Sequence, residues 1–375
     1  MFDGLVNFNL EESSPTIIKV VGVGGGGGNA IEYMFAKGIR DVDFVLCNTD
    51  VNLLNSSRVP LKIQLGKQLS DGYGAGNDPE VGFLSAQESI KEIRSMLHKH
   101  TKMVFITAGM GGGTGTGAAP LIAQEAKEYG ILTIGVVTIP PRWEGQKRLN
   151  QAREGLEQMK NNVDCLIVMD TQRIMDLYKT SPLPGAFDQA NEVLNAAVKG
   201  IAEIITLPGF INVDFADVKT VMSDSGVAVI GTAQASGVGR AVQAINDALE
   251  SPLLNNSDIC GSKYILLNIT SGTDEITMNE MTDITSIIVN KVGNSAEVIW
   301  GVGTDEKLGD AISVTIIATG FPNDDVENWD KVVNDKVVAR LTLEEVPLQP
   351  GMKKEDLEKL ENIPAINRRN LKITN

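Results

Sequence analysis

Five apolar runs in the first half of the chain set the strongest limit on its fold. They are "TIIKVVGVG" (16–24), "VDFVLCNTD" (42–50), "MVFITAG" (103–109), "ILTIGVVTI" (131–139) and "VDCLIVMD" (163–170). None alternates strictly between apolar and polar residues, the pattern of strands covered on both faces. Helical patterns such as "SAQESIKEIRSMLHKH" and "APLIAQEAKEYG" lie between them. In the second of these, Pro120 suits a first helical turn and Gly130 the residue past the end. Strands alternating with helices predict an α/β, doubly wound parallel sheet.

The sequence predicts a flexible N-terminus over 1–14, a ligand-binding domain over 15–185 and a long central helix over 186–209 ("AFDQANEVLNAAVKGIAEIITLPGF"). A second mixed-sheet α/β domain is expected over 210–321, from "GVAVIGTAQASG", "SKYILLNITSG", "AEVIWGVGTDEK" and "AISVTIIATG". Residues 322–361 are acidic and poor in apolar residues, the composition of a disordered linker. The basic stretch "NIPAINRRNLKITN" (362–375) reads as a short docking peptide or a frayed terminus.

Composition excludes several function classes. A net charge of −15 argues against general nucleic-acid binding, which needs a basic surface. No apolar stretch approaches the ~18–20 residues of a membrane span, and "MFDGLVNFNLEESS" lacks the features of a signal peptide. The three cysteines, Cys47, Cys165 and Cys260, read as reduced thiols of a cytosolic protein. The only two histidines, His98 and His100, read as a solvated helix end, so a zinc site or a His-dependent triad is not expected.

"GMGGGTGTGAAP" (109–120) joins the third apolar run to a helix with six glycines and no lysine. Glycine lets successive backbone N–H groups converge on an anion, and the following helix adds free N–H groups and its positive dipole end. Thr114 and Thr116 add hydroxyls. The stretch therefore reads as a phosphate cradle built from backbone; the Walker loop, which needs Gly-Lys-Ser/Thr, is absent from it. A second run, "GVGGGGGNA" (22–30), ends the first strand and formally satisfies G-x-G-x-x-G. "NTD" (48–50) and "GAGNDPE" (74–80) end further segments on the same expected sheet edge. Several phosphate-adapted loops at one edge point to a nucleoside triphosphate. An NAD-dependent dehydrogenase is the alternative, although one pyrophosphate does not need two glycine loops. "GFINVDFADVKT" supplies Asp214 and Asp217, which either orient water or cap a helix.

"GGGTGTG", together with "GVGGGGGNA", "NTD" and "NVDFADV" (212–218), resembles the tubulin/FtsZ family over about residues 15–321. The resemblance implies a GTP-binding domain, a GTPase of the bacterial cell-division ring, and head-to-tail filaments. It assigns nucleotide contacts to Gly25, Gly26, Gly27, Gly28 and Asn29; to Asn48, Thr49 and Asp50; to Ala75 and Gly76; and to Gly111, Gly112, Gly113, Thr114, Gly115, Thr116 and Gly117. Glu144 and Arg148 take the ribose and guanine-side positions, and Phe187 and Asn191 the ring-stacking and base-recognising ones. Asp214, Asp217 and Asn212 act in trans on the next subunit's GTP. Mg²⁺ is expected through the GTP phosphates, with no direct protein ligand, and a monovalent cation is a further expected cofactor.

The resemblance also implies partners: further copies of the chain, and division proteins including a membrane tether such as FtsA, bound through the C-terminal peptide. The expected place is the cytoplasm, at a midcell ring beneath the inner membrane and without insertion into it. Two stretches depart from the family pattern. Pro140-Pro141-Arg142-Trp143-Glu144 stands where the family carries Pro-Phe-x-Phe-Glu, and Asn362 and Asn367 replace an acid and a leucine in the docking peptide. A non-catalytic GTP-dependent scaffold would share the pocket and use Asp214 and Asp217 only structurally.

Overall fold

In the computed structural model, residues 16–321 are described, apart from 40, 99, 207, 208, 212, 252–258, 294 and 295 and the side chain of Leu183. Asn212, the N-terminus over 1–14, the linker over 322–361 and the docking peptide over 362–375 lie outside the described residues. In chain order the first elements are β1 (Ile18–Val23), α1 (Gly24–Lys37), β2 (Val42–Asn48), α2 (Val51–Ser56), β3 (Leu61–Gln64), α3 (Pro79–Glu88), α4 (Ile90–Leu97), β4 (Met103–Gly109) and α5 (Thr114–Glu128). There follow β5 (Leu132–Ile139), α6 (Gln146–Asn162), β6 (Cys165–Asp170), α7 (Thr171–Leu177), α8 (Leu183–Thr206), β7 (Gly209–Ile211) and α9 (Phe215–Met222). The last are β8 (Gly226–Ser236), α10 (Arg240–Leu249), β9 (Tyr264–Ser271), α11 (Met278–Val292), β10 (Glu297–Thr304) and β11 (Ala311–Thr319).

All five apolar runs form strands, and each pairs in parallel with its neighbours in the order β3-β2-β1-β4-β5-β6. Full burial of β1 and near-full burial of β4 explain the absence of alternation. The sheet continues through β8, β11, β9, β10 and β7. β8 links the two parts: Gly226–Ala228 pair in parallel with β6, and Val229–Ser236 pair antiparallel with β11. One apolar core gathers α1, α8 and the first strands, with Ile230, Leu266 and Ile317 from the second part. A second core lies among α10, α11 and the faces of β9 and β11.

Three boundaries differ from the sequence reading. Pro120 lies inside α5, because the helix begins at Thr114, within the glycine signature. The proline forgoes its bond to the Thr116 carbonyl, and the helix continues through it. Gly130 does take the left-handed conformation just past the end, and its N–H bonds the Lys127 carbonyl at 2.9 Å. The pattern over 85–100 divides into α3 and α4 at Ser89, whose hydroxyl accepts from Gly66 N–H (3.0 Å) and lies 3.3 Å from the Gln64 carbonyl. The central helix spans Leu183–Thr206, and Gly209, expected at its end, opens β7.

Candidate functional site

β1 and β4 are neighbours in parallel register, Val23 opposite Ala108, so the helices that follow them start side by side at the carboxyl edge of the sheet. No loop separates β1 from α1: the glycines from Gly24 to Gly28 are the first residues of the helix. Neither α1 nor α5 has a side-chain cap. Their first-turn N–H groups therefore remain available, and two positive dipole ends lie at one place.

The glycines there divide into two kinds. A Cβ on Gly24, which has φ +72°, would lie 2.9 Å from Gly115 N; one on Gly115 would lie 2.6 Å from the Gly109 carbonyl oxygen. Added carbons would likewise collide with the Thr107 carbonyl at Gly27, the Asp78 amide at Gly113 and the Pro79 carbonyl at Gly117. These residues allow α1, β4, α5 and the start of α3 to touch through their backbones. Gly25 and Gly112, by contrast, have nothing within 4 Å of an added Cβ, and neither has a positive φ. Gly25, Gly26 and Asn29 are exposed, and Gly28 and Gly112 half-buried. The open surface thus lies over the two uncapped helix starts, where an anionic group fits.

The remaining signature residues serve the scaffold. The Thr116 hydroxyl is buried and accepts from Gly111 N–H at 2.8 Å. Thr114 and the buried Thr49 share a hydroxyl hydrogen bond of 2.7 Å, which ties "NTD" to α5. Asn48 is also buried, and its side chain accepts from Asp50 N–H at 3.2 Å. The Asp50 carboxylate caps α2, accepting from Asn52 N–H (2.8 Å) and Leu53 N–H (3.3 Å). Ala75 is buried and would meet a Cβ on Gly113 at 2.9 Å, while Gly76 beside it is exposed, with φ +58°. Asp78 caps α3 through Glu80 N–H at 2.9 Å.

Arg148 and Glu144 form an ion pair one helical turn apart. The Arg148 carbonyl oxygen would lie 2.7 Å from a Cβ on Gly111, which places this pair beside the signature turn. Trp143 is 63% exposed on the short 3-10 turn Arg142–Glu144, whose first amide bonds Gln172 of α7 at 3.2 Å. Asp170 ends β6 and caps α7; burial pushes its carboxyl above the ordinary range. Phe187 and Asn191 lie one turn apart on α8, and Phe187 is 40% exposed although Ala186 and Ala190 beside it are buried.

Asp214 and Asp217 are brought together with each other and not with the glycine turns. Asp214 caps α9, accepting from Asp217 N–H at 2.8 Å, and both carboxylates are exposed. From Phe187 to the end of α8 at Thr206 is roughly 28 Å along the helix axis. Beyond α9, the Asp224 carboxylate is held at 2.7 Å by Lys127, at the end of α5 opposite its glycine start. α5 is itself about 20 Å long between those points. Among the described residues no group of three His, Cys, Asp or Glu side chains is placed to hold a metal ion, and no helix is long and apolar enough to cross a membrane.

Comparison with known proteins places the chain in a family. Residues 17–179 match the tubulin/FtsZ family GTPase domain, and residues 226–322 the C-terminal domain of the FtsZ family. The cell division protein FtsZ of Porphyromonas gingivalis is 47% identical over 350 residues, covering 91% of this chain and 76% of that protein. Its counterpart from Coxiella burnetii is 47% identical over 84% of this chain and 82% of its own. An FtsZ dimer from M. jannaschii superposes with a TM-score of 0.76 at 40% identity, covering 83% of this chain and 90% of that one. The GTPγS-bound protofilament of CetZ2 from Haloferax volcanii, 22% identical with a TM-score of 0.72 over 87% of this chain and 99% of that one, shares the fold. With both family domains present in order and nearly half of its residues identical to these relatives, the chain belongs to the tubulin/FtsZ family, in its FtsZ branch.

Proposed function

We propose that GTP lies with its phosphates over the N-termini of α1 and α5 and is hydrolysed at the junction between successive subunits. Family membership makes the chain a filament-forming GTPase of cell division. The observation that carries the finer reading is the separation of the two halves of the chemistry. The proposed anion cradle lies at the start of α1, which packs against α8, and the carboxylates of Asp214 and Asp217 follow the C-terminal end of α8, on exposed surface.

In this reading the first-turn N–H groups of α1, at Gly25 and Gly26, and those from Gly112 to Gly115 bind phosphate oxygens, while Gly28 and Asn29 line the same surface, Gly27 packs against Thr107 and the Gly111 N–H is taken by the Thr116 hydroxyl. Gly25 and Gly112 leave the approach clear. Ala75 and Gly76 border the terminal phosphate, and the Asn48–Asp50 turn the ribose side. Thr116 and Gly117 hold the signature in shape. Glu144 and Arg148 contact the ribose and the guanine side, Phe187 stacks on the base and Asn191 reads its edge. The exposed rings of Phe187 and Trp143 support a stacking surface at this rim. Mg²⁺, when bound, is held chiefly by phosphate oxygens and neutralises their charge.

The Asp217 carboxylate of one subunit orients the attacking water at its neighbour's terminal phosphate. Asp214 fixes the geometry through its bond to Asp217 N–H, and Asn212 assists. A contact that joins unlike faces propagates as an open filament. The C-terminal peptide, 362–375, docks division partners, including a membrane tether such as FtsA, and so places the filament at midcell. A monovalent cation completes the proposed set of cofactors.

The test is GTP turnover per subunit as a function of protein concentration. A junctional site gives negligible turnover below a threshold and a steep rise above it. A rate per subunit that is constant with dilution would place the whole site in one chain and refute the reading. An NAD-dependent enzyme, which the first glycine run alone allowed, would retain NAD in preference to GTP.

A further inference from the structure

The glycine cradle and the base-side residues lie on different helices, α1 and α8, which pack directly against each other. Ala30, Ile31 and Met34 of α1 share a core with Ala190, Leu194 and Ala197 of α8. Apolar contacts are non-directional, so they fix the axial register of two helices less sharply than hydrogen bonds do. Polar groups supply what these contacts lack. The Tyr33 hydroxyl donates to Glu192 Oε2 at 2.5 Å, and the Lys37 ammonium lies 3.3 Å from the same oxygen. Asn195 donates to Glu192 Oε1 at 3.4 Å, and Lys37 sits 5.2 Å from the centre of the Tyr33 ring. Tyr33 and Lys37 are one turn apart on α1. Their target is the residue next to Asn191 and five beyond Phe187.

We infer that Glu192, gripped from α1 by Tyr33 and Lys37, is a positioning residue that sets the register of α8 and thereby holds Asn191 and Phe187 at the distance from the phosphate cradle that a guanine nucleotide spans. The inference rests on the proposed reading of Asn191 and Phe187 as base contacts. Burial alone would raise the Glu192 carboxyl, but the Tyr33 hydroxyl and Lys37 ammonium outweigh it and hold the carboxyl below its ordinary value, so at neutral pH it is the charged acceptor that the grip requires. None of the three side chains needs to touch the nucleotide. They act through the backbone of α8, and a small misplacement of a recognition group is costly because its hydrogen bonds are directional.

The test is a double-mutant cycle on the full-length chain, below its assembly threshold, read by displacement of a fluorescent GTP analogue. Tyr33→Phe and Glu192→Gln each remove one end of the grip while keeping side-chain volume. Each is expected to weaken GTP binding by roughly fivefold to thirtyfold, the size of coupling found within one hydrogen-bonded network. Lys37→Arg, which keeps the charge, retains most of the affinity. In an Asn191→Ala background, Tyr33→Phe costs clearly less than in the wild type, because one of the two residues it positions is already gone. Wild-type affinity in both single variants overturns the inference. So does a loss of equal size in the Asn191→Ala background, which would mark the grip as merely structural. Wild-type binding by Asn191→Ala itself would show instead that the base-contact reading is wrong, and the inference would fall with it.

Discussion

Sorting the glycines by what a single methyl group would meet yields a two-sided prediction. At Gly117 an added Cβ runs into the Pro79 carbonyl and lies 2.6 Å from Phe83 N, so α3 and α5 must separate. Forced overpacking of this kind costs typically 1–3 kcal/mol. For a domain of this size each kcal/mol lowers the melting temperature by about 2–4 °C, so Gly117→Ala should melt roughly 2–12 °C below wild type. At Gly25 and Gly112 the methyl enters open space on a backbone that alanine adopts readily. Gly25 lies in the first turn of α1, and alanine favours helix over glycine by up to ~1 kcal/mol. Gly25→Ala should therefore melt at or slightly above the wild-type temperature. Its GTP affinity should nevertheless fall, because the methyl occupies the approach to the α1 amides. Losing one hydrogen bond to a charged phosphate is worth ~1.5–3 kcal/mol, or roughly 10- to 150-fold. Thermal melting of the nucleotide-free protein and titration with a fluorescent GTP analogue give the two readouts. Wild-type affinity in both Gly25→Ala and Gly112→Ala would refute the cradle, and a wild-type melting temperature in Gly117→Ala would refute the packing assignment.

The remaining predictions concern stability and the rim of the site. The Arg240 guanidinium, 2.7 Å from the carboxylate, holds Glu280 down at about 2, so its contribution is complete above the ordinary value of 4.5 and is lost as pH falls from there towards 2. Glu280→Gln should cost on the order of 1–2 kcal/mol at neutral pH, allowing for solvent screening, and should flatten the acid limb in urea unfolding at stepped pH. Asp214→Ala removes a helix cap and should cost about 0.5–2 kcal/mol of stability, whereas exposed Asp217→Ala should stay within ~0.5 kcal/mol, as denaturant midpoints will show. Phe187→Ala should lower melting by less than a fully buried Phe would, because the residue is already 40% exposed, and should weaken GTP binding by roughly tenfold, as expected for loss of one aromatic stacking contact.

The strands were legible because burial on both faces leaves an unbroken apolar run, as in "MVFITAG", which coincides with β4 residue for residue. The meeting of two glycine-rich helix starts at one sheet edge was legible because few other needs concentrate so many glycines between a strand and a helix. What each glycine does was not legible. Gly112 and Gly113 are neighbours in the sequence, yet one faces open space and the other abuts Asp78 and Ala75, a distinction made by the segment that leads into α3. Pro120 misled for a related reason: proline favours a first turn in isolation, but packing of α5 against α3 and α6 carries the helix through it. The short strands β3 and β7 carry too few residues to show a period. The Tyr33–Glu192 bond links residues 159 apart and leaves no local pattern. Asp214 and Asp217 gave an ambiguous signal, and the cap that Asp214 forms is compatible with a catalytic role for its neighbour.

Hydrolysis shared between two subunits is tested most directly by mixing two crippled chains. Asp217→Ala keeps the cradle and lacks the proposed water-orienting carboxylate. Gly25→Ala, at a GTP concentration too low to fill its weakened site, keeps the carboxylate and lacks bound nucleotide. Each alone should turn over GTP at a small fraction of the wild-type rate, since a positioned acid–base group is worth ~10²–10⁴-fold. Mixed at constant total concentration, they should recover activity that peaks near equal proportions, where an intact cradle meets an intact Asp214–Asp217 turn from its neighbour. A rate for every mixture equal to the weighted sum of the two separate rates would contradict the account.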